Sequence, residues 1–179
     1  MGSLQEEWVE IDASVQEYGQ AAMALPEQRH LRNALGCFPT GVAVVTARDE
    51  EGALYGVTVS SFNAVSLDPP MVLWSQKLSA PSHGVFRRAG YFGVNVLGNR
   101  QRHLSERFSR PAPDKFDSVP YVLTPEGVPL LEDVAAQFVC RNDFRSFGGD
   151  HVVFFGSVMQ FGYSLTATPL IFSRGSYLV

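Results

Sequence analysis

Three short segments of this 179-residue chain gather small polar residues beside strand-like apolar runs, and its chemistry starts there. The first is Gly56-Val57-Thr58-Val59-Ser60-Ser61-Phe62-Asn63-Ala64-Val65-Ser66. A strand ending in Thr-x-Ser-Ser offers hydroxyls and backbone N–H groups at a barrel rim. Such donors suit a flat heterocycle carrying carbonyl and ring-nitrogen acceptors. On composition alone an ordinary strand end, with a serine capping the turn, is the stronger reading of the same residues. The second is Lys77-Leu78-Ser79-Ala80-Pro81-Ser82-His83. A lysine and two serines just before a helix make a phosphate site, because the helix start adds N–H donors and partial positive charge. A plain N-cap by Ser79 or Ser82 is the competing reading. The third is Phe147-Gly148-Gly149-Asp150-His151-Val152. Its glycines permit a tight turn and close ligand approach. His151 then stands at the mouth of a strand, as a ligand contact or as a structural histidine.

Other chemistries lack their markers. No G-x-G-x-x-G follows a strand, and there is no G-x-x-x-x-G-K-[ST] loop, H-E-x-x-H, C-x-x-C or G-x-S-x-G. The four histidines are scattered without metal-ligand pairing, and Cys37 and Cys140 are too few for a disulfide scaffold. If the chain is an enzyme, a bound organic cofactor carries the hard chemistry.

Composition sets the frame. At 45% apolar residues the chain can build a real core, which excludes disorder over most of its length. The net charge of −4 argues against a general nucleic-acid binder. The charge is uneven, however. Residues 77–115 hold eight basic and only two acidic side chains, which suggests an anionic small ligand, with a solvated helix face as the competing reading. The start has no basic and apolar leader, and no stretch resembles a bilayer span. The expectation is a soluble cytoplasmic protein, with a polar N-terminal extension over 1–24 and one domain over 25–179.

The elements that must position these segments follow from pattern. Leu31, Ala34, Leu35 and Phe38 share a helical face, after Pro26 in the first turn and before Gly36 and Pro39. Strands are predicted over 40–48, 54–60, 71–75, 91–97, 135–141, 152–160 and 170–178. Short helices are predicted over 79–90 and after Asn99, and a proline-rich loop over 111–129. Seven or so strands with two or three helices suggest a β-barrel or sandwich, and the irregular order excludes a doubly wound sheet.

Taken together, the segments resemble the flavin reductase family with its FMN-binding split barrel. The resemblance covers about residues 26–179. It is carried by Phe38-Pro39-Thr40-Gly41-Val42-Ala43-Val44-Val45-Thr46, by 58–70, by Phe92-Gly93-Val94-Asn95-Val96-Leu97 followed by Gln101, by Asp114-Lys115-Phe116, and by Gly149-Asp150-His151. It implies a mainly β, Greek-key split β-barrel with a few short helices, and a homodimer. It also implies an NAD(P)H-dependent reduction of FMN or FAD, using NADH or NADPH, that serves a separate oxygenase. By resemblance, Thr58, Val59, Ser60, Ser61 and Ser66 lie along the flavin ring and ribityl chain. Lys77, Ser79 and Ser82 hold the phosphate end, and Asn95 and Gln101 support the ribityl–phosphate region. Thr40, Gly41, Gly149 and His151 face the nicotinamide, with His151 in the catalytic role. A flavoprotein with tightly bound FMN and its own substrate, or a non-catalytic flavin-binding protein, remains the alternative. Neither nucleic acid nor membrane is an expected partner.

Overall fold

The computed structural model describes residues 25–178, so the expected extension lies outside the described residues. Helix α1 (Leu25–Gly36) starts at the proline-marked turn, as the pattern predicts. The predicted strand 40–48 is split in two. Strand β1 (Thr40–Gly41) leaves to pair elsewhere, and β2 (Ala43–Arg48) enters the main sheet. Val42 sits at the divide, donating its N–H to Leu170 and accepting from Leu97. Next come β3 (Leu54–Val59), β4 (Asn63–Leu67), β5 (Pro70–Lys77), α2 (His83–Arg88) and β6 (Tyr91–Val96). A short 3-10 turn (Asn99–Gln101) leads into α3 (Arg102–Ser109). The chain finishes with β7 (Tyr121–Leu123), β8 (Pro129–Leu131), β9 (Ala136–Gly148), β10 (His151–Tyr163), β11 (Ile171–Ser173) and β12 (Ser176–Leu178).

Seven strands form one antiparallel sheet in the order β3-β2-β6-β9-β10-β5-β4. It curls without closing, and β1-β11-β12 and β7-β8 make separate small sheets. Strand β2 explains the curl. Val44 faces a cluster with Leu97, Leu104, Phe108, Leu131 and Leu170. Ala43, Val45 and Ala47 face a second cluster around Trp74, Phe86, Phe92 and Phe154. A strand buried on both faces reads as an unbroken apolar run, and 42–45 is one. The aromatic cluster is ordered by ring geometry, with Trp74 stacked on Phe154 at 4.5 Å and edge-on to Phe86 at 4.9 Å.

Several expectations change. The predicted helix 79–90 shrinks to α2. The residues before it form tight turns, Ala80 N–H to Lys77 and His83 N–H to Ala80, around a proline that has no N–H. Asn99 does not cap the next helix, because the Gln101 side chain reaches back to the Gly98 N–H at 3.0 Å. The predicted strand 170–178 is a hairpin turning at Arg174 and Gly175. Both take positive φ, 48° and 77°, the geometry of a tight hairpin turn. The loop 111–129 contains β7 and leads into β8, and β4 was not foreseen.

Candidate functional site

The three polar segments are far apart in sequence, and the sheet brings them to one end of the barrel. Past β3 the chain crosses to β5, where the Ser61 hydroxyl donates to the Ser75 carbonyl and accepts the Ser75 N–H, each at 3.0 Å. Ser75 lies two residues before Lys77, about 7 Å along a strand. Lys77 stands opposite His151 in the β5–β10 ladder. The Leu78 N–H donates to the Asp150 carbonyl at 2.9 Å, tying the lysine turn to the glycine turn. Gly149 takes φ +59° in that turn, and no atom lies within 4 Å of where its Cβ would be. Any other residue there would be strained.

Ser60, the neighbour of Ser61 in the chain, lines a cleft of about 650 Å³ together with Leu35, Phe38, Thr40, Phe172 and Arg174 among others, whereas Lys77 and His151 are not in its lining. A smaller annex of about 200 Å³ shares Ser60 and Phe172 and reaches Thr58, Ser105 and Tyr177. Phe38 is 74% exposed, so its ring face is open at the mouth. Apolar rings with a few placed hydroxyls, in a cleft of this size, suit a flat aromatic ligand. The guanidinium groups of Arg32 and Arg174 at the rim suit an anionic one.

The electrostatics centre on Asp150. Its carboxylate meets His151 Nδ1 at 2.6 Å. That hydrogen bond, together with the nearby charges of His151 and Lys77, holds the Asp150 carboxyl below its ordinary range against the opposing effect of burial. His151 is held by this bond at Nδ1, and its side chain is 37% exposed.

Hydrogen bonds within the protein engage several of the expected contacts. Thr58 lines the annex, but its one hydroxyl hydrogen goes to the Ser105 carbonyl at 2.7 Å, so it offers an acceptor rather than a donor. Ser61 is committed to Ser75 as described. Asn95 is fully buried. It donates to the Val44 carbonyl at 3.0 Å and accepts the Leu131 N–H at 2.8 Å, knitting β2, β6 and β8 together. It is a core residue. Gln101 serves the Gly98 N–H and the Glu132 carbonyl in the same structural way. It lines a hollow of about 780 Å³ beside Arg107 and Leu104, whereas Ser105 and Ser109 of the same helix line the annex. Arg107 there donates to the Asp114 carbonyl at 2.8 Å. Ser66 accepts the Asp68 N–H in β4's exit turn, and Val59 is buried opposite Ala43. Thr40 and Gly41 pair with Phe172 and Ile171, which places Thr40 at the cleft. Ser79 is exposed on the lysine turn, and Ser82 is held from inside by Gln76.

Phe172, Arg174, Ser105 and Tyr177 escaped the sequence reading. Phe172 enters the site only through the β1–β11 pairing, more than a hundred residues from its partner, and no local pattern signals that. The Arg174-Gly175 dipeptide between short apolar runs was the one available signal, since it marks a hairpin.

An open antiparallel barrel with a ring-sized cleft at one end, beside a lysine turn and a histidine, is the split-barrel class of nucleotide-binding fold. The flavin reductase like domain matches residues 35–178, and the chain belongs to that family. An FMN reductase (NADH), SmoA, of Agrobacterium fabrum is 43% identical over 83% of this chain and 84% of its own length. The reductase subunit HsaB of a flavin-dependent monooxygenase from Rhodococcus jostii is 36% identical over 89% and 81%. Among solved structures, the NADH:FAD oxidoreductase of Streptomyces globisporus, in complex with NAD and FAD fragments, superposes with a TM-score of 0.81. It shows 34% identity and covers 89% of this chain and 96% of that one. Against some longer relatives the chain spans about half of their length. Among the described residues no helix is long and apolar enough to cross a membrane.

Proposed function

We propose that this chain is an NADH-dependent flavin reductase that reduces FMN or FAD and passes the reduced flavin to a separate monooxygenase component. The observation that carries the reading is the junction of the Ser60 cleft, the Lys77 turn and the His151 turn at one barrel end, through the Ser61–Ser75 bridge. The family and its reductase relatives agree with it.

The residues present fit a flavin. Ser60 and Thr40 supply hydroxyls, Phe38 and Phe172 supply ring surface, and Arg32 and Arg174 supply positive charge. When bound, the flavin supplies the hydride acceptor, so the protein needs neither a nucleophile nor a strong acid. The chain's task is alignment. Hydride transfer needs the reacting atoms about 3–3.5 Å apart. Phe38 and Phe172 flank the cleft and exclude water, and the Ser60 region presents donors where negative charge grows on reduction. His151, tethered by Asp150, orients the nicotinamide.

The reading includes a homodimer and a cytoplasmic place of work. Met71, Leu73 and Ser75 alternate with the buried Val72, Trp74 and Gln76 of β5, so they point away from the core. Phe155 stands opposite Leu73 and stacks on Phe144 at 4.5 Å, extending an apolar outer face. A second copy seated there would cover it.

The test is NADH oxidation by the purified protein, followed at 340 nm, with and without added FMN or FAD and beside its visible spectrum. Fast oxidation that requires added flavin is the expected result. A yellow protein without flavin-stimulated turnover would point to a tightly bound group and a different substrate. A colourless protein that neither binds flavin nor consumes NADH would overturn the reading.

A further inference from the structure

We propose that the hollow beside α3 is a second ligand site, separate from the Ser60 cleft, and that it takes the ribose 5′-phosphate part of a ribonucleotide such as AMP. The inference does not rest on the flavin-reductase reading. Helix α3 stands between the two sites. Leu104 and Arg107 line the hollow, Ser105 and Ser109 line the annex of the Ser60 cleft, and no residue lines both.

The hollow has a volume of about 780 Å³. Small-molecule sites run from about 300 to 1,000 Å³. Hydrogen bonds between distant segments hold its walls in place. The Asn99 N–H donates to the Thr168 carbonyl at 2.8 Å, and the Glu132 N–H to the Pro120 carbonyl at 3.1 Å. Gln101, only 8% exposed, donates to the Glu132 carbonyl at 2.9 Å.

The walls differ in charge. Arg100, His103 and Arg107 stand three and four residues apart, on one face of the 3-10 turn and α3. Glu132 and Asp133 come from the link between β8 and β9. Opposite charges that share a hollow ordinarily pair. Among the described residues none of these side chains forms an ion pair. Arg107 is anchored instead, with one nitrogen donating to the Asp114 carbonyl at 2.8 Å, and its other N–H donors remain. Ser118 and Asp133, also in the lining, both hold φ at 58°. The third non-glycine residue at positive φ among the described residues is Arg174, in the Ser60 cleft. Backbone of this kind gathers where a ligand is held.

The mixed walls select the ligand. A bare anion is drawn to the arginines and repelled by the carboxylates. A ribose phosphate satisfies both, because the guanidinium groups donate to the phosphate and the carboxylates accept from the ribose hydroxyls. Leu104 and Val119 add apolar surface for a base. Two arginines of the basic run 77–115, Arg100 and Arg107, thereby serve this site.

The test is calorimetric titration of AMP into the full chain, alone and saturated with FMN. One AMP is expected per chain, with the same Kd in both. Arg100→Ala, at an exposed position, is expected to weaken AMP about ten-fold, the loss of one charge-assisted contact. AMP is expected to bind about ten-fold more tightly than its 2′,3′-dideoxy analogue, and that preference to vanish when Glu132→Ala and Asp133→Gly are combined. Glycine accepts the backbone of Asp133 without strain. KM and kcat for flavin reduction stay unchanged in all these variants. No heat of binding at about 1 mM AMP, loss of binding on saturation with FMN, or an Arg100→Ala protein that binds AMP as wild type does would each overturn the proposal. So would a dideoxy preference that survives the removal of both carboxylates. A chain that binds AMP in the expected pattern and reduces no flavin would remove the proposed function and leave this site standing.

Discussion

At the scale of single residues, the site depends on how each polar group is committed. His151 is tethered through Nδ1 to Asp150, which leaves its other ring nitrogen for a ligand. His151→Ala is expected to raise KM for NADH several-fold and leave KM for flavin unchanged. Steady-state kinetics with each substrate varied in turn decides it, and unmoved NADH constants would remove the role. Asp143 shows the same logic without a ligand. Burial pushes its carboxyl up. Hydrogen bonds from the Ser157 hydroxyl and amide and from Arg141, at 2.6 Å in the last case, outweigh that and hold it below its ordinary value. A carboxyl with a lowered native pKa adds stability that is fully present above its unfolded pKa, near 4, and disappears as pH falls through the native value. Asp143→Asn is therefore expected to melt below wild type at pH 7, with the gap closing as pH falls below about 4. A gap independent of pH would show that the ionised form is not what stabilises.

At the scale of elements, the long β9–β10 hairpin organises the site end. Its register slips between Phe155 and Gly156, leaving Asp143 as the extra residue, and its carboxylate turns back onto Ser157. Glycine is needed beside that bulge. A Cβ at Gly156 would stand 2.6 Å from the Phe92 ring and 2.8 Å from the Arg141 carbonyl, and the second contact is backbone. Gly156→Ala is expected to cost about 1–3 kcal/mol as overpacking, seen as a lowered midpoint in chemical denaturation. Sequence pattern placed both strands but made each too short. The inner half of each carries buried residues such as Val139, Cys140, Val152 and Phe154, and the pattern shows there. The outer halves mix exposed Phe144, Phe147 and Phe161 with charge and glycine, so neither alternation nor a continuous apolar run marks them as strand. Strand β4 and the β7–β8 pair were missed for a related reason, since exposed residues dominate β4 and β7 and give no buried face to read.

At the scale of the whole molecule, the exposed aromatic residues on the outer halves and the apolar outer face around Leu73 and Phe155 ask for a cover. Phe144→Glu would place a charge against Phe155 in the middle of that face. It is expected to convert a dimer to a monomer in light scattering while the far-ultraviolet circular dichroism stays unchanged. A wild-type protein that is already monomeric at micromolar concentration would remove the dimer from the proposed function.

The sequence by itself determined the local facts. A helix starts at the turn that holds Pro26, the Val-rich run 42–45 reads as strand, the glycine turn precedes His151, and three polar segments border strands. Each of these depends on residues within a few positions of one another, so periodicity and turn chemistry expose them. Only the tertiary structure decided which polar groups are free. Thr58, Ser61, Asn95 and Gln101 resemble ligand contacts in the sequence, yet their hydrogen bonds close on partners 47, 14, 36 and 31 residues away. Phe172 joins the cleft, and Gln76 reaches Ser82, by the same kind of tertiary placement. A side chain's hydrogen-bonding capacity is set by its type, but its availability depends on which distant carbonyl or N–H the fold brings against it.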